Sequence, residues 1–278
     1  MKRALQEHIL RAAFLAPFAA LLCSPVPGLA DNVILGSAQG FAILGASTVT
    51  NTGATGIYGN LGVDPGTAIT GFPPGVVTGG AIDATDAVAQ QAQSDALGAY
   101  NTLAGMAIDR ILTGEDLGGM TLTPGVYDFA ASAQLTGTLT LDFTNNPGGA
   151  FVFQVGTTLT TGSNSVVNAI GGNALSGIYW QVGSSATLGT DTTFTGNILA
   201  ADSISLSTNA DILCGRAIAL TGAVTMDTNE VSNNNSADDF GSYGFSGGEG
   251  APEPGTLTLL SLGLGIGFVS RRKLPFIR

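Results

Sequence analysis

The single histidine, His8, and the two lysines, Lys2 and Lys273, lie near the ends of a 278-residue chain. Between Asp31 and Gly250 the only cations are Arg110 and Arg216, against 18 of the 20 acidic residues. Without His or Lys this stretch can build no Ser-His-Asp or Cys-His centre. It can form no lysine Schiff base and no histidine-ligated zinc site. Two arginines do not make the cationic surface that nucleic acid requires, so no nucleic-acid partner is expected. The chain therefore reads as a non-enzyme with no cofactor and no metal site. What it offers instead is hydroxyl groups. Twenty-nine threonines fall between Asp31 and Gly250, more than any other polar side chain, so their arrangement decides what the surface can do.

Five segments can be laid over one another: 132–137 (SAQLTG), 157–162 (TTLTTG), 185–190 (SATLGT), 202–208 (DSISLST) and 223–228 (AVTMDT). Aligned on Leu135, Leu159, Leu188, Leu206 and Met226, they place one apolar side chain per segment on one side. Strand alternation puts the flanking residues on the other side. These are Gln134 and Thr136, Thr158 and Thr160, Thr187 and Gly189, Ser205 and Ser207, Thr225 and Asp227. If the segments stack as coils, equivalent residues lie about 4.7–4.9 Å apart, and residues i and i+2 about 6.5–7 Å apart. The result is a stiff rectangular grid of hydroxyls and methyls, because β-branched side chains hold few rotamers. Water above it meets groups it can bond and groups it can cage, at spacings close to the oxygen repeats of ice. Threonine rows also stabilise sheets that bind nothing.

The elements that would position this grid are short. Runs of four to seven residues broken by Gly, Asn, Asp and Pro read as strands. The segments 126–129 (VYDF), 151–155 (FVFQV) and 178–182 (IYWQV) carry the core aromatics. The aligned apolar residues recur at irregular intervals of roughly 20–30 residues, the range of solenoid coils. A β-sandwich also has many short strands, but it does not explain like residues stacking in register. One stretch differs. Residues 84–106 are rich in Ala, Gln and Leu, and Val88, Ala92, Ala96, Tyr100, Leu103 and Ala107 recur at helical spacing. Asp83 is the expected N-cap.

Both ends read as addresses. Residues 1–30 have a basic start (Lys2, Arg3, Arg11), an apolar run over 12–22, and small residues Gly28 and Ala30 before a cut at Asp31, as in a secretory signal peptide. Cleavage removes Cys23 and leaves Cys214, which has no neighbouring base and is expected to be buried. Arg216 is expected to bond backbone carbonyls. Residues 241–251, with Asp238 and Asp239 before them, read as a solvated linker. Then come Pro252-Glu253-Pro254, an apolar run over 255–269 and the basic cluster Arg271-Arg272-Lys273. This order resembles the PEP-CTERM sorting signal of Gram-negative bacteria. The resemblance implies an exported protein, held at the envelope or released outside it. It implies an exosortase-type enzyme that processes the tail 252–278, and a short transmembrane helix with the basic cluster on the cytoplasmic side.

The stretches 32–45 (NVILGSAQGFAILG), 59–65 (GNLGVDP), 69–72 (ITGF), 122–127 (LTPGVY), 133–139 (AQLTGTL), 180–189 (WQVGSSATLG) and 215–220 (GRAIAL) resemble the microbial ice-binding (antifreeze) protein family. That resemblance implies a mostly β fold over 31–240: an irregular right-handed β-solenoid with one long α-helix packed alongside. It also implies adsorption to an ice crystal surface through a flat Thr/Ser-rich face. Some members carry T-A/G-x-T/N at coil corners; Thr52-Gly-Ala-Thr55 and Thr161-Gly-Ser-Asn164 fit, while 190–193 and 208–211 depart. The ice-binding candidates are Thr136, Thr158, Thr160, Thr161, Asn164, Thr187, Thr190, Ser205, Ser207, Thr208 and Thr225. A competing face begins at Thr138/Thr140 and Thr193/Thr195. The alternative function is a structural or adhesive matrix protein, with exopolysaccharide as partner and no ice activity.

Overall fold

The computed structural model describes residues 35–235 and 237–247. The expected signal peptide and the sorting tail lie outside them. Among the described residues no helix is long and apolar enough to cross a membrane.

The described residues form a three-sided parallel β-solenoid. One side is a seven-stranded sheet, in the order Ala133–Leu135, Leu159–Thr161, Ala186–Leu188, Ile204–Leu206, Val224–Asp227, Thr48–Thr52 and Ala68–Thr70. The other two sides belong to a single fifteen-stranded sheet. It covers both because the long strands Thr193–Ala200 and Asp211–Ala219 bend through the corner between them. The bend falls at Gly196 and Gly215, stacked in register, with φ of 107° and 157°. A Cβ on Gly215 would lie 2.0 Å from the Gly196 carbonyl oxygen, so two coils approach here more closely than any side chain permits.

The coils are not stacked in chain order. Thr48–Thr52 lies against Val224–Asp227, with Val49 opposite Val224 and Thr50 opposite Thr225. Gly56–Tyr58 likewise pairs Glu230–Ser232. The N-terminal coils thus cap the C-terminal one, and the chain must cross to the far end of the stack to build the rest. The helix Ala87–Ala104 makes that crossing. Its 18 residues span about 27 Å at 1.5 Å each, the height of five or six coils at about 4.8 Å. Its buried stripe is Ala89, Ala92, Ala96, Ala99 and Leu103, set on Phe41, Leu44, Val152, Tyr179, Leu199 and Ile218. Small side chains let the helix lie close on the sheet. Gln154 closes its C-terminal end, donating to the Leu103 and Met106 carbonyls at 2.7 and 3.0 Å.

The helix starts at Ala87, three residues later than expected, and its N-cap is Asp86. The Asp86 carboxylate accepts from the Val88 and Ala89 N–H groups at 3.0 and 2.8 Å. Asp83 is unavailable because Ile82–Ala84 pairs as a strand with Asn60–Val63. Val88, assigned to the apolar stripe, is 50% exposed, and Ala107 lies beyond the helix and is exposed; the stripe runs through Ala89 and Ala99 instead.

Inside, like residues stack coil on coil. Tyr127, Phe153 and Trp180 are in register, with ring centroids 5.4 and 3.9 Å apart. The expected linker differs from the structure over 241–247. Ser242, Phe245 and Ser246 are buried. Asp239, expected in solvent, is buried and accepts from the Gly241 and Gly244 N–H groups. This terminal clasp is held by the fully buried Arg216, which donates to the carbonyls of Gln39, Tyr243 and Gly244 and to Asn197 Oδ1 at 2.6–3.2 Å. One guanidinium thus ties the N-terminal segment, a central coil and the clasp.

Candidate functional site

Four strands of the seven-stranded side have three residues whose ends point inward and whose middle points outward. Val224–Asp227, Thr48–Thr52 and Ala68–Thr70 alternate in the same way, with Val224, Met226, Val49, Asn51 and Ile69 turned inward. Ala133 and Leu135, Leu159, Ala186 and Leu188, Ile204 and Leu206, and Val224 and Met226 are buried. Outward residues form one row across all seven strands: Gln134, Thr160, Thr187, Ser205, Thr225, Thr50 and Thr70. A second row runs through Thr158, Ser185, Ser203 and Ala223, whose carbonyls accept from the adjoining coils at 2.9–3.1 Å, and on to Thr48 and Ala68. A third holds Thr136, Gly162, Gly189, Ser207, Asp227 and Thr52. The surface is flat because the strands are parallel and in register, and in the row across the first five coils Gln134, at the end of the stack, is the one long side chain. Hydroxyls bond along the stack as well: Thr225 Oγ1 donates to Ser205 Oγ at 3.0 Å.

Seven of the sequence candidates stand on this face: Thr136, Thr158, Thr160, Thr187, Ser205, Ser207 and Thr225. Thr161 does not. It is buried; its Oγ1 shares a hydrogen bond with Thr192 Oγ1 at 2.8 Å and accepts from the Gly189 N–H at 2.9 Å. Its partner in the stack is Leu135, so the Thr161-Gly-Ser-Asn164 motif lies two residues earlier in its coil than Thr190-Asp-Thr-Thr193. Asn164 belongs to the corner. It stacks with Asp191, Asn209 and Thr228, all with φ between 56° and 58°. Thr190 and Thr208 precede that corner and form the rim. Sequence reasoning missed Thr48, Thr50, Thr52 and Thr70. The Thr-Val-Thr-Asn-Thr alternation at 48–52 was the available signal, but the pairing that places it spans more than 170 residues.

Charge on the face is small and confined. Asp227 accepts from Thr208 Oγ1 at 2.5 Å and from Thr228 Oγ1 at 3.1 Å, which draws its carboxylate to the rim. Asp116 borders the opposite end. Partial burial alone would raise its carboxyl pKa, but hydrogen bonds from Gly118 and Thr136 hold it below the usual range. The competing side is a poorer template. Its threonines Thr138, Thr140 and Thr193 share the surface with Asp142, Asp211 and Glu230, Thr195 is buried, and Val76 and Ile170 protrude. The third side lies under the helix. Among the described residues no group of three or more His, Cys, Asp or Glu side chains is placed to hold a metal.

A helix-braced parallel solenoid with one flat, nearly uncharged hydroxyl face defines a class of surface-adsorbing proteins in which repetition does the work of a pocket. The chain belongs to the Ice-binding-like family, whose model matches residues 43–232. A PEP-CTERM protein-sorting motif matches residues 251–273. An ice-binding protein of Nostoc sp. (strain HG1) is 58% identical over 200 residues, covering 72% of this chain and 74% of that one. Ice-binding protein 1 of Shewanella frigidimarina is 31% identical over 263 residues, covering 82% of this chain and 29% of its own length. The crystal structure of an ice-binding protein from an Antarctic biological consortium superposes with a TM-score of 0.69 at 45% identity, covering 72% of this chain and 90% of that one.

Proposed function

We propose that the protein is an exported ice-binding protein that adsorbs to ice through the seven-stranded hydroxyl face. The observation that carries this is the row Thr160, Thr187, Ser205, Thr225, Thr50 and Thr70, held in register by backbone pairing across six coils. Spacings of about 4.8 Å between coils and about 6.5–7 Å between alternate residues along a strand repeat in two dimensions. Hydroxyls bond the first water layer while methyls cage it, and stiff β-branched rotamers keep the pattern fixed. Water already ordered there joins the crystal with little further entropy loss. Many weak contacts then act together, and a growth front that bulges between bound molecules has a lowered local freezing point. Relatives named ice-binding proteins and the sorting motif support this reading, with export through a signal over 1–30 and tail processing by an exosortase-type enzyme. Localisation at the Gram-negative envelope belongs to the same proposal.

The test is ice recrystallisation with residues 31–250. Crystals that stay small at low protein concentration support it. Crystals that coarsen as in buffer overturn it and favour the matrix alternative.

A further inference from the structure

We propose that the C-terminal tether leaves the domain from the edge opposite the hydroxyl face, so the protein meets ice while still attached to the cell and thereby holds the cell to ice. The proposal rests on the ice-binding reading and adds to it an orientation and a second partner, the membrane.

The clasp fixes where the tail emerges. Ser246 pairs antiparallel with Gly177. The Ile178 N–H donates to the Phe245 carbonyl at 2.9 Å, and the Gly247 N–H donates to the Ser176 carbonyl at 3.1 Å. Residues 171–176 join Val166–Ile170 on one side of the prism to Gly177–Val182 on the helix-covered side. In a three-sided coil the edge between those two sides lies opposite the third, and the third is the hydroxyl face. Seven residues, 248–254, separate this exit from the apolar run that begins at Gly255. Fully extended they reach at most about 25 Å. A domain turned face-down would have to carry the segment from the exit edge across the depth of the prism to the membrane, which stretches the chain and costs entropy, whereas face-up needs no such path. A pull on the tail reaches the clasp first, and the clasp is bonded to the body through Arg216 and through Asn197, which donates to the Phe245 carbonyl at 2.9 Å.

The experiment uses residues 31–278, the chain as it stands after the expected signal cleavage, inserted in phosphatidylcholine vesicles that contain nitroxide-bearing lipid. Cys214 is buried and stays unlabelled, so a fluorophore is placed at Leu175→Cys, on the exit edge and 52% exposed in the wild type, or at Ser205→Cys on the hydroxyl face. Strong quenching at 175 and little at 205 is the expected result. Equal quenching, the reverse order, or no association with vesicles overturns the proposal. In a second arm the same vesicles, without labels, meet a slowly advancing ice front. Incorporation of vesicles bearing the wild type, and exclusion of those bearing Thr160→Tyr, supports it. Exclusion of both, while soluble 31–250 binds ice, overturns the tether orientation and leaves the ice reading intact. If soluble 31–250 is excluded as well, the ice reading itself has failed.

Discussion

Arg216 shows how one residue's chemistry is set by its surroundings. Burial disfavours its charge and lowers its pKa to about 10, although Tyr179, Tyr243 and Asp239 favour the cation. Its donors are nevertheless all engaged with oxygens fixed by the fold. Arg216→Met strands those carbonyls and should cost about 3 kcal/mol or more, read as a fall in urea midpoint; Arg216→Lys should recover little, since an ammonium cannot span the same fork. Cys214 makes a pH prediction. Burial first, then Asp239 and Asp238, pushes its thiol up to about 12 from an ordinary 9.0. The fold favours the protonated form, so the unfolded state loses its proton first. Stability from this group is complete below pH 9 and declines as pH rises toward 12. The melting temperature of Cys214→Ala should therefore fall less over that window than the wild type's, and a matching decline in both would contradict the assignment. At this scale the outward residues were legible, because alternation is a matter of parity. The sequence alignment slipped the coil at Leu159 by two residues against its neighbours, yet a slip of two keeps every side chain on its face. Thr161 was misplaced by the corner motif, which reads letters without register.

Among the elements, the helix was legible as a periodic alanine stripe, but its start was not. Asp83 and Asp86 both precede an apolar run, and only the long-range pairing of Ile82–Ala84 with Asn60–Val63 decides between them. The stripe's smallness is a requirement of close packing. Ala96→Leu inserts three carbons between helix and sheet and should cost about 1–3 kcal/mol by thermal melting, whereas a leucine at exposed Gln90 should cost little. The N-terminal coils are the larger omission. Nothing local in Thr48–Thr52 says that it extends the face begun at Gln134. If it does, Thr50→Tyr should reduce ice recrystallisation inhibition as strongly as Thr160→Tyr while leaving the melting temperature nearly unchanged. Full activity in Thr50→Tyr would confine the working face to the C-terminal coils.

For the whole molecule, the architecture divides its three sides among distinct tasks. One is covered by the helix and the N-terminal segment, which supplies rigidity. One carries charge and protruding apolar groups. One is flat and hydroxylic, and the edge opposite it receives the terminal clasp. The clasp was illegible because Gly-Ser-rich sequence reads as linker; it packs because Phe240 and Phe245 reach the core and Arg216 waits for its carbonyls. The division of sides predicts that disruption is face-specific. The most direct measurement is ice recrystallisation by residues 31–250 carrying either Thr160→Tyr with Thr225→Tyr, on the hydroxyl face, or Thr138→Tyr with Thr140→Tyr, on the charged side, with melting temperatures matched. Loss of inhibition in the first protein and retention in the second is the predicted result. Retention in the first, or loss only in the second, would contradict the assignment of the ice-binding face.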